Sequence, residues 1–416
     1  DGTTSKITLN QNDSLIENQE GDEVSGWSSV DSADPLKFIE NAALTAKLDS
    51  DTPDEGLLAA NSNSEVATYR FSAEDGDIEI SDLYLGHTTS TPNSTSTISN
   101  LNDLISSYEL VVDGDVVDTS APSDEGGDNN GAFEFNLGSG NEIMVEKDKV
   151  QRVKVKANLN DITNQRSLSE RDINVTLYGI EGETRGSGTE LTPSDINSGN
   201  DDIQTDNTLD IDAIKALKAD RQVAARTIPS IEATSVSNNT LSDGGGKEVF
   251  SYEVTANDNY DVSWKRVTIE MTGNCNTDKL DDCVSKTPND WTVEEGSTER
   301  TINNITFTSS TDSDLTAEIE LSNSRSISAG ASKEYTISTK LSGFTGDNDS
   351  LSTQIVDNET ASSDPDEVDT YSTVKGNSDT FVWSDNSVSY DDTSDKQWFD
   401  GWELPGLDTD SISLTR

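Results

Sequence analysis

His87 is the one histidine among 416 residues, in the run Gly-His-Thr-Thr-Ser-Thr. It could act as the base of a Ser-His-Asp relay, since imidazole titrates near neutral pH. No Gly-x-Ser-x-Gly, His-Glu-x-x-His or Gly-rich phosphate loop accompanies it. It reads as a surface-loop histidine. Carboxylate pairs of the glycosidase kind can be chosen almost anywhere among 80 Asp and Glu, so their presence carries no information. No catalytic or cofactor-binding residue is assigned, and the chain reads as a non-enzyme. Calcium is the one cation the sequence suggests. Asp206, Asp210 and Asp212, the pair Asp347 and Asp349, and Asp364, Asp366 and Asp369 cluster oxygen ligands of the hard type that it takes. None fits the twelve-residue EF-hand loop, and a solvated acidic loop is the plainer reading of each.

Cys275 and Cys283 are the only cysteines, with seven residues and no histidine between them. That spacing suits neither zinc nor a Cys-x-x-Cys redox pair. A loop disulfide formed in an oxidising compartment is expected. Asn-x-Ser/Thr sequons stand at Asn12, Asn93, Asn174, Asn238, Asn304, Asn348 and Asn358, and a subset of them are candidate glycan acceptors.

The elements that must carry these residues repeat at an offset of about 184 positions. Glu65–Ala73 has its counterpart in Glu248–Ala256. Ile78 and Ile80, then Leu83 and Leu85 one residue out of phase, match Val262 and Trp264, then Val267, Ile269 and Met271. The shared break in alternation predicts a shared bulge or bend. Phe133, Phe135 and Leu137 match Ala317, Ile319 and Leu321, while Val153–Leu159 matches Tyr335–Leu341.

The expected fold is therefore all-β: two tandem antiparallel Ig-like β-sandwiches with extended N- and C-terminal segments. Residues 1–41 form an N-terminal extended segment that could donate a strand through Ile7 and Leu9. The first sandwich spans 42–191, with strands near 43–48, 66–73, 77–85, 108–112, 116–118, 132–137, 150–159 and 172–178. Asp113-Gly114 between apolar pairs predicts a type I′ hairpin. An acidic linker, 192–220, holds Ile211, Ile214 and Leu217 at helical spacing, which predicts a short helix at the junction. The second sandwich spans 221–357, with strands near 229–236, 249–256, 261–271, 301–308, 315–321, 334–341 and 350–356. Residues 358–416 are an acidic, aromatic-rich tail from which Thr380–Trp383 adds a strand and Trp398–Leu407 packs on a surface.

Composition sets the environment. The formal charge is −52, with a pI near 4.1. Such a chain repels itself at low salt. At about 1 M salt the screening length shrinks to about 3 Å, so a hypersaline setting suits it. The charge excludes nucleic acid and anionic lipid as partners, because both need clustered Lys and Arg. No run of 18 apolar residues offers a transmembrane segment. The first residue is Asp and no leader follows, which suits a mature secreted form, so an extracellular cell-surface location is expected.

The tail carries a resemblance. Phe381-Val382-Trp383-Ser384-Asp385-Asn386-Ser387, with Asp400-Gly401-Trp402-Glu403-Leu404-Pro405-Gly406-Leu407, is similar to the C-terminal signature of secreted cell-surface proteins of candidate-phyla (Patescibacteria-type) bacteria. Those proteins carry tandem Ig-like modules ahead of a Phe-[Val/Ile]-Trp-Ser-Asp segment. Ser328–Lys333 leading into Tyr335 also resembles that family's strand entry. The acidic bias and Trp402-Glu403 depart from it. The resemblance implies a subunit of a surface layer or appendage.

The function expected from these readings is a structural subunit of a homopolymeric extracellular assembly, a filament or S-layer. It would polymerise head to tail by terminal-strand exchange, with Ile7, Leu9, Phe381, Trp383, Trp398, Phe399 and Trp402 as assembly residues. Its partners would be copies of itself, with cell-envelope or host-surface glycans as further candidates. The alternative is an adhesin or carbohydrate-binding stalk contacting its target through Trp291, Trp398 and Trp402.

Overall fold

The computed structural model describes residues 42–88, 103–122, 130–138, 140–162, 171–185, 188–191, 196–197, 217–276, 279–356, 380–387 and 398–416. The N-terminal segment with Ile7 and Leu9, the helix positions Ile211 and Ile214, and the residues Asn12, Asn93, Asn358, Asp206, Asp210, Asp212, Asp364, Asp366 and Asp369 lie outside them.

In the first half the strands are β1 (Ala43–Leu48), β2 (Gly56–Ala59), β3 (Asn63–Glu74), β4 (Ile78–Thr88), β5 (Ile105–Val112), β6 (Asp115–Ser120), β7 (Asn130–Asn136), β8 (Ile143–Val145), β9 (Val150–Leu159), β10 (Arg171–Thr184), β11 (Thr189–Glu190), β12 (Ile196–Asn197), β13 (Leu217–Lys218) and β14 (Gln222–Ala225). The second half holds β15 (Ser230–Ala233), β16 (Gly244–Thr255), β17 (Val262–Asn274), β18 (Thr292–Glu295), β19 (Thr298–Arg300), β20 (Ile302–Thr308), β21 (Asp314–Ile327), β22 (Ser332–Leu341), β23 (Ser350–Gln354), β24 (Phe381–Ser384) and β25 (Ile412–Thr415). Among the described residues no helix is long and apolar enough to cross a membrane.

Two sheets face each other in each half. The first core lies between the sheet β12-β1-β3-β9-β5-β6 and the sheet β2-β14-β10-β4-β7. The second lies between β15-β16-β22-β18-β19 and β20-β21-β17-β23-β25, with β24 also on β17. The reason is legible in β9, where Val153, Val155, Ala157 and Leu159 point inward and Arg152, Lys154 and Lys156 outward. Between the described strands, pairing is antiparallel except for β1 with β12 and β2 with β14, two parallel contacts that the antiparallel expectation missed.

The phase break has the predicted cause. Ile78, Ile80, Leu83 and Leu85 are all buried, and that requires one extra residue between the pairs. Ser81 is that residue: Asp82 pairs with Glu181 and Ile80 with Gly182, leaving Ser81 unpaired in the register. Lys265 takes the same place between Trp264 and Arg266 in β17. The Asp113-Gly114 turn also forms as expected, with φ of 53° and 95°.

Two expectations are corrected. Leu217 lies in a strand: it pairs with Leu177, and the next turn of chain is tied by Ala219 N–H to Val175 O at 2.8 Å. The open edge of β10 offers that backbone a ladder, which outweighs a weak helical spacing. Secondly, β14 was assigned to the opening of the second sandwich but pairs with β10 and β2 of the first. The added strand expected at Thr380–Trp383 does form, as β24, and it lies in the body of the sheet. In the first sandwich β10 runs unbroken along β4, whereas in the second β23 covers Glu270–Asn274 of β17 and β24 covers Ser263–Val267. The strand equivalent to β10 is split after Gln354 and resumes at Phe381. Phe381 and Trp383 thus occupy a core lane, fully buried, with Trp383 stacked on Phe399 at 4.3 Å.

The returning tail is pinned at Gly406 (φ 93°), where Pro405 O accepts Ile231 N–H at 2.9 Å. A Cβ there would lie 1.8 Å from Ile231 O. At Gly114 (φ 95°) a Cβ would meet nothing within 4 Å. We therefore predict a graded pair in chemical denaturation. Gly114→Ala should cost about 1 kcal/mol from backbone strain alone. Gly406→Ala should cost about 3 kcal/mol, because strain and a backbone clash add.

Candidate functional site

Among the described residues a group of polar side chains converges where the two sandwiches meet. Arg226 follows β14 directly. Its backbone N–H donates to Asp385 Oδ2 at 2.8 Å, its Nη1 donates to Asn386 O at 2.7 Å, and its guanidinium lies 4.1 Å from the centre of the Tyr260 ring. From the second sandwich, Tyr260 reaches the first: its hydroxyl donates to Asp161 and accepts Asn61 Nδ2 at 3.4 Å. The hydrogen bond to Asp161 raises the Tyr260 hydroxyl above its ordinary value, with burial adding to it. Asn386, at φ 50°, donates to Asp261 O at 3.1 Å and accepts from Ser263 at 3.0 Å. The core passes through the same point. Ala224 belongs to the first core and Ala225, its neighbour in one strand, to the second. Ala60 N–H donates to Ala225 O at 2.8 Å.

A second charged constellation surrounds Glu295 at the edge of the second core. Its carboxylate takes Arg300 at 3.0 Å, Arg325 at 3.0 Å and Lys333 at 2.8 Å. Burial pushes this carboxyl up, but Lys333, Arg325 and Arg300 together outweigh it and hold it below its usual value. Asp49 repeats the balance in the first sandwich. Burial raises it, while Asp51 N–H and Arg152, 3.0 Å away, bring it below the ordinary carboxylate range.

The residues singled out in the sequence fall as follows. Cys275 and Cys283 form the expected disulfide, with Cys283 in the core and Cys275 packed at its margin. His87 lies within β4, paired with Val175 and Gly131, so the loop assignment is corrected: its backbone belongs to a central strand. Asp349 is buried and accepts Gly346 N–H at 2.7 Å, closing a turn, and Asp347 beside it is exposed. Among the described residues no three His, Cys, Asp or Glu converge on a metal position. Of the sequons, Asn174 is buried in β10, whereas Asn238, Asn304 and Asn348 are exposed.

The tail aromatics expected to serve in assembly pack against their own chain. Phe381, Trp383 and Phe399 are buried in the second core, which the split strand completes, and Trp398 is buried against Val382 in a separate small cluster. Trp402 is half-buried, with the Arg221 guanidinium 5.7 Å from its ring centre. Trp291, expected to be exposed, is buried and donates Nε1–H to Ser285 O at 2.6 Å. Sequence reading missed Arg226 and Tyr260. The signal available was Asp385-Asn386 after Trp383, polar residues too regular in place to be an arbitrary loop.

No family model matches the chain, and no curated protein sequence does. Solved structures give slight likenesses. A type I cohesin–dockerin complex of Clostridium thermocellum aligns with 10% identity over 45% of this chain and 99% of that one, at a TM-score of 0.21. The cohesin module of a family 33 glycoside hydrolase from Clostridium perfringens gives 14% identity, 44% and 98% coverage and 0.21. The C-terminal domain of the AgI/II polypeptide BspA from Streptococcus agalactiae gives 6% identity, 75% and 94% coverage and 0.16.

The Glu295 cluster makes a testable pH dependence. A carboxyl lowered in the folded state contributes stability that is present above its unfolded value, about 4.3, and is lost as pH falls through the folded value. Glu295→Gln should lower the melting temperature by several degrees at pH 6. The gap to the parent should hold down to about pH 5 and close as pH falls below about 4. A gap independent of pH would contradict the assignment.

Proposed function

We propose that the chain is a structural module of an extracellular cell-surface assembly. The observation that carries this reading is β14, which is hydrogen-bonded into the sheet of the first sandwich and contributes to both cores. The two sandwiches therefore have no free linker at this crossing.

The chemistry of the surface supports an extracellular place for such a module. A disulfide between Cys275 and Cys283 suits an oxidising compartment. A formal charge of −52 suits concentrated salt, in which the acidic surface stays hydrated and its self-repulsion is screened. The tail shelters inside its own sandwich, so assembly by exchange of the C-terminal aromatics is set aside in favour of contacts between completed sandwiches. The stalk that would bind sugar through Trp291 and Trp398 loses its platform, since both rings are interior.

The test is electron microscopy of material released from the surface of the producing cells in concentrated salt, with antibody labelling of intact cells. We expect surface label and ordered arrays or filaments built from this chain. Label confined to the cell interior, or dispersed single molecules at every salt concentration, would overturn the proposal.

A further inference from the structure

The repeat places two rungs of charge at equivalent positions, with opposite sign. In the first sandwich Lys47 stands opposite Arg70, and Arg70 opposite Arg152, across β1, β3 and β9. In the second, Glu232 stands opposite Glu253, and Glu253 opposite Glu334, across β15, β16 and β22. The equivalence is fixed by the next rung along each sheet, Leu48–Tyr69–Val153 in one and Ala233–Tyr252–Tyr335 in the other. Those neighbours turn inward, with Tyr69, Val153, Tyr252 and Tyr335 fully buried, so the charged rungs face out. Exposure agrees as well: the outer two members of each rung are exposed and the middle one half-buried.

Like charges placed directly opposite on neighbouring strands destabilise a sheet. Each rung alone is a cost to its own sandwich. Asp49 and Asp51 relieve the Arg152 end of the basic rung, and the Asp49 charge also acts on Arg70, which leaves the Lys47 end. At the acidic rung Glu334 accepts from the Thr234 hydroxyl at 2.9 Å, a neutral partner that leaves its charge in place. A row of three cations is also unexpected in a chain with 28 bases against 80 acids. The two rungs are opposite in sign and match in spacing and strand context, so they neutralise one another when the two faces meet. The junction keeps the two sandwiches of one chain end to end, which prevents their own faces from meeting.

We propose that the outer face around Lys47, Arg70 and Arg152 docks on the outer face around Glu232, Glu253 and Glu334 of a second copy of this chain. The contact is heterologous, so each copy keeps one basic and one acidic face free for the next and an open polymer results. This inference rests on the assembly reading above and names its interface. Screening over about 3 Å in concentrated salt suppresses the long-range repulsion of the acidic chains while leaving contact pairs in force.

Sedimentation velocity of the full chain at about 1 M salt tests it, because there the repulsion is already screened. Three proteins are compared: the parent, a Lys47→Glu/Arg152→Glu variant and a Glu232→Lys/Glu334→Lys variant, each checked for folding by circular dichroism. The single variants Lys47→Glu and Glu232→Lys serve if a double variant fails to fold. The parent should self-associate, each variant alone should do so about tenfold more weakly, and an equimolar mixture of the two should recover association. If the parent associates and the variants match it, the rungs are not the interface, while the assembly reading stands. If the parent is monomeric at all concentrations and salt levels, both fall.

Discussion

The rest of the structure depends on a strand of four residues, Gln222–Ala225, whose side chains are all buried. A strand serving one core shows one inward side chain in every two. This one serves two cores at its end, Ala224 facing one and Ala225 the other. Small side chains are what allow it, since two hydrophobic interiors approach within one peptide unit. Arg226 then closes the crossing by stacking on Tyr260 and hydrogen-bonding the chain after β24. A two-sandwich chain with an ordinary polar linker would bend at that point. Here bending breaks a sheet pairing and opens packing on both sides.

The same crossing explains why the second sandwich recruits its tail. β24 is followed directly by Asp385 and Asn386, the groups that hold Arg226 and Ser263. The strand that completes the second core therefore also locks the junction. A tail rich in aromatic residues looks like an adhesive surface when read as sequence. In the folded chain it is the inner lining of a sheet lane.

Much of this was legible in the sequence where the physics is local. Alternation in Val153–Leu159 marked β9, and two out-of-phase apolar pairs located the bulges at Ser81 and Lys265, because burial of all four residues demands an insertion. Asp113-Gly114 announced its turn, and Cys275 and Cys283 their bridge. What was hidden depends on pairing between distant segments. β14 has no alternation to display, and Leu217 carried a helical spacing that an open strand edge overrode. The split after Gln354 broke the repeat just where the tail needed it to be assigned. The opposed charge rungs were invisible for the same reason: Lys47, Arg70 and Arg152 become neighbours only once the register is known.

The central claim is that the crossing at Ala224 and Ala225 makes one stiff unit of two sandwiches. Both native cysteines are paired, so spin labels can be attached to cysteines introduced at exposed Val116 in the first sandwich and Asn304 in the second. Pulsed electron–electron dipolar spectroscopy in concentrated salt, on the chain diluted with unlabelled copies, then reads the distance between them. A single narrow distribution, broadened when Arg226→Ala is introduced, is the predicted result. A broad or multimodal distribution in the parent chain would contradict it.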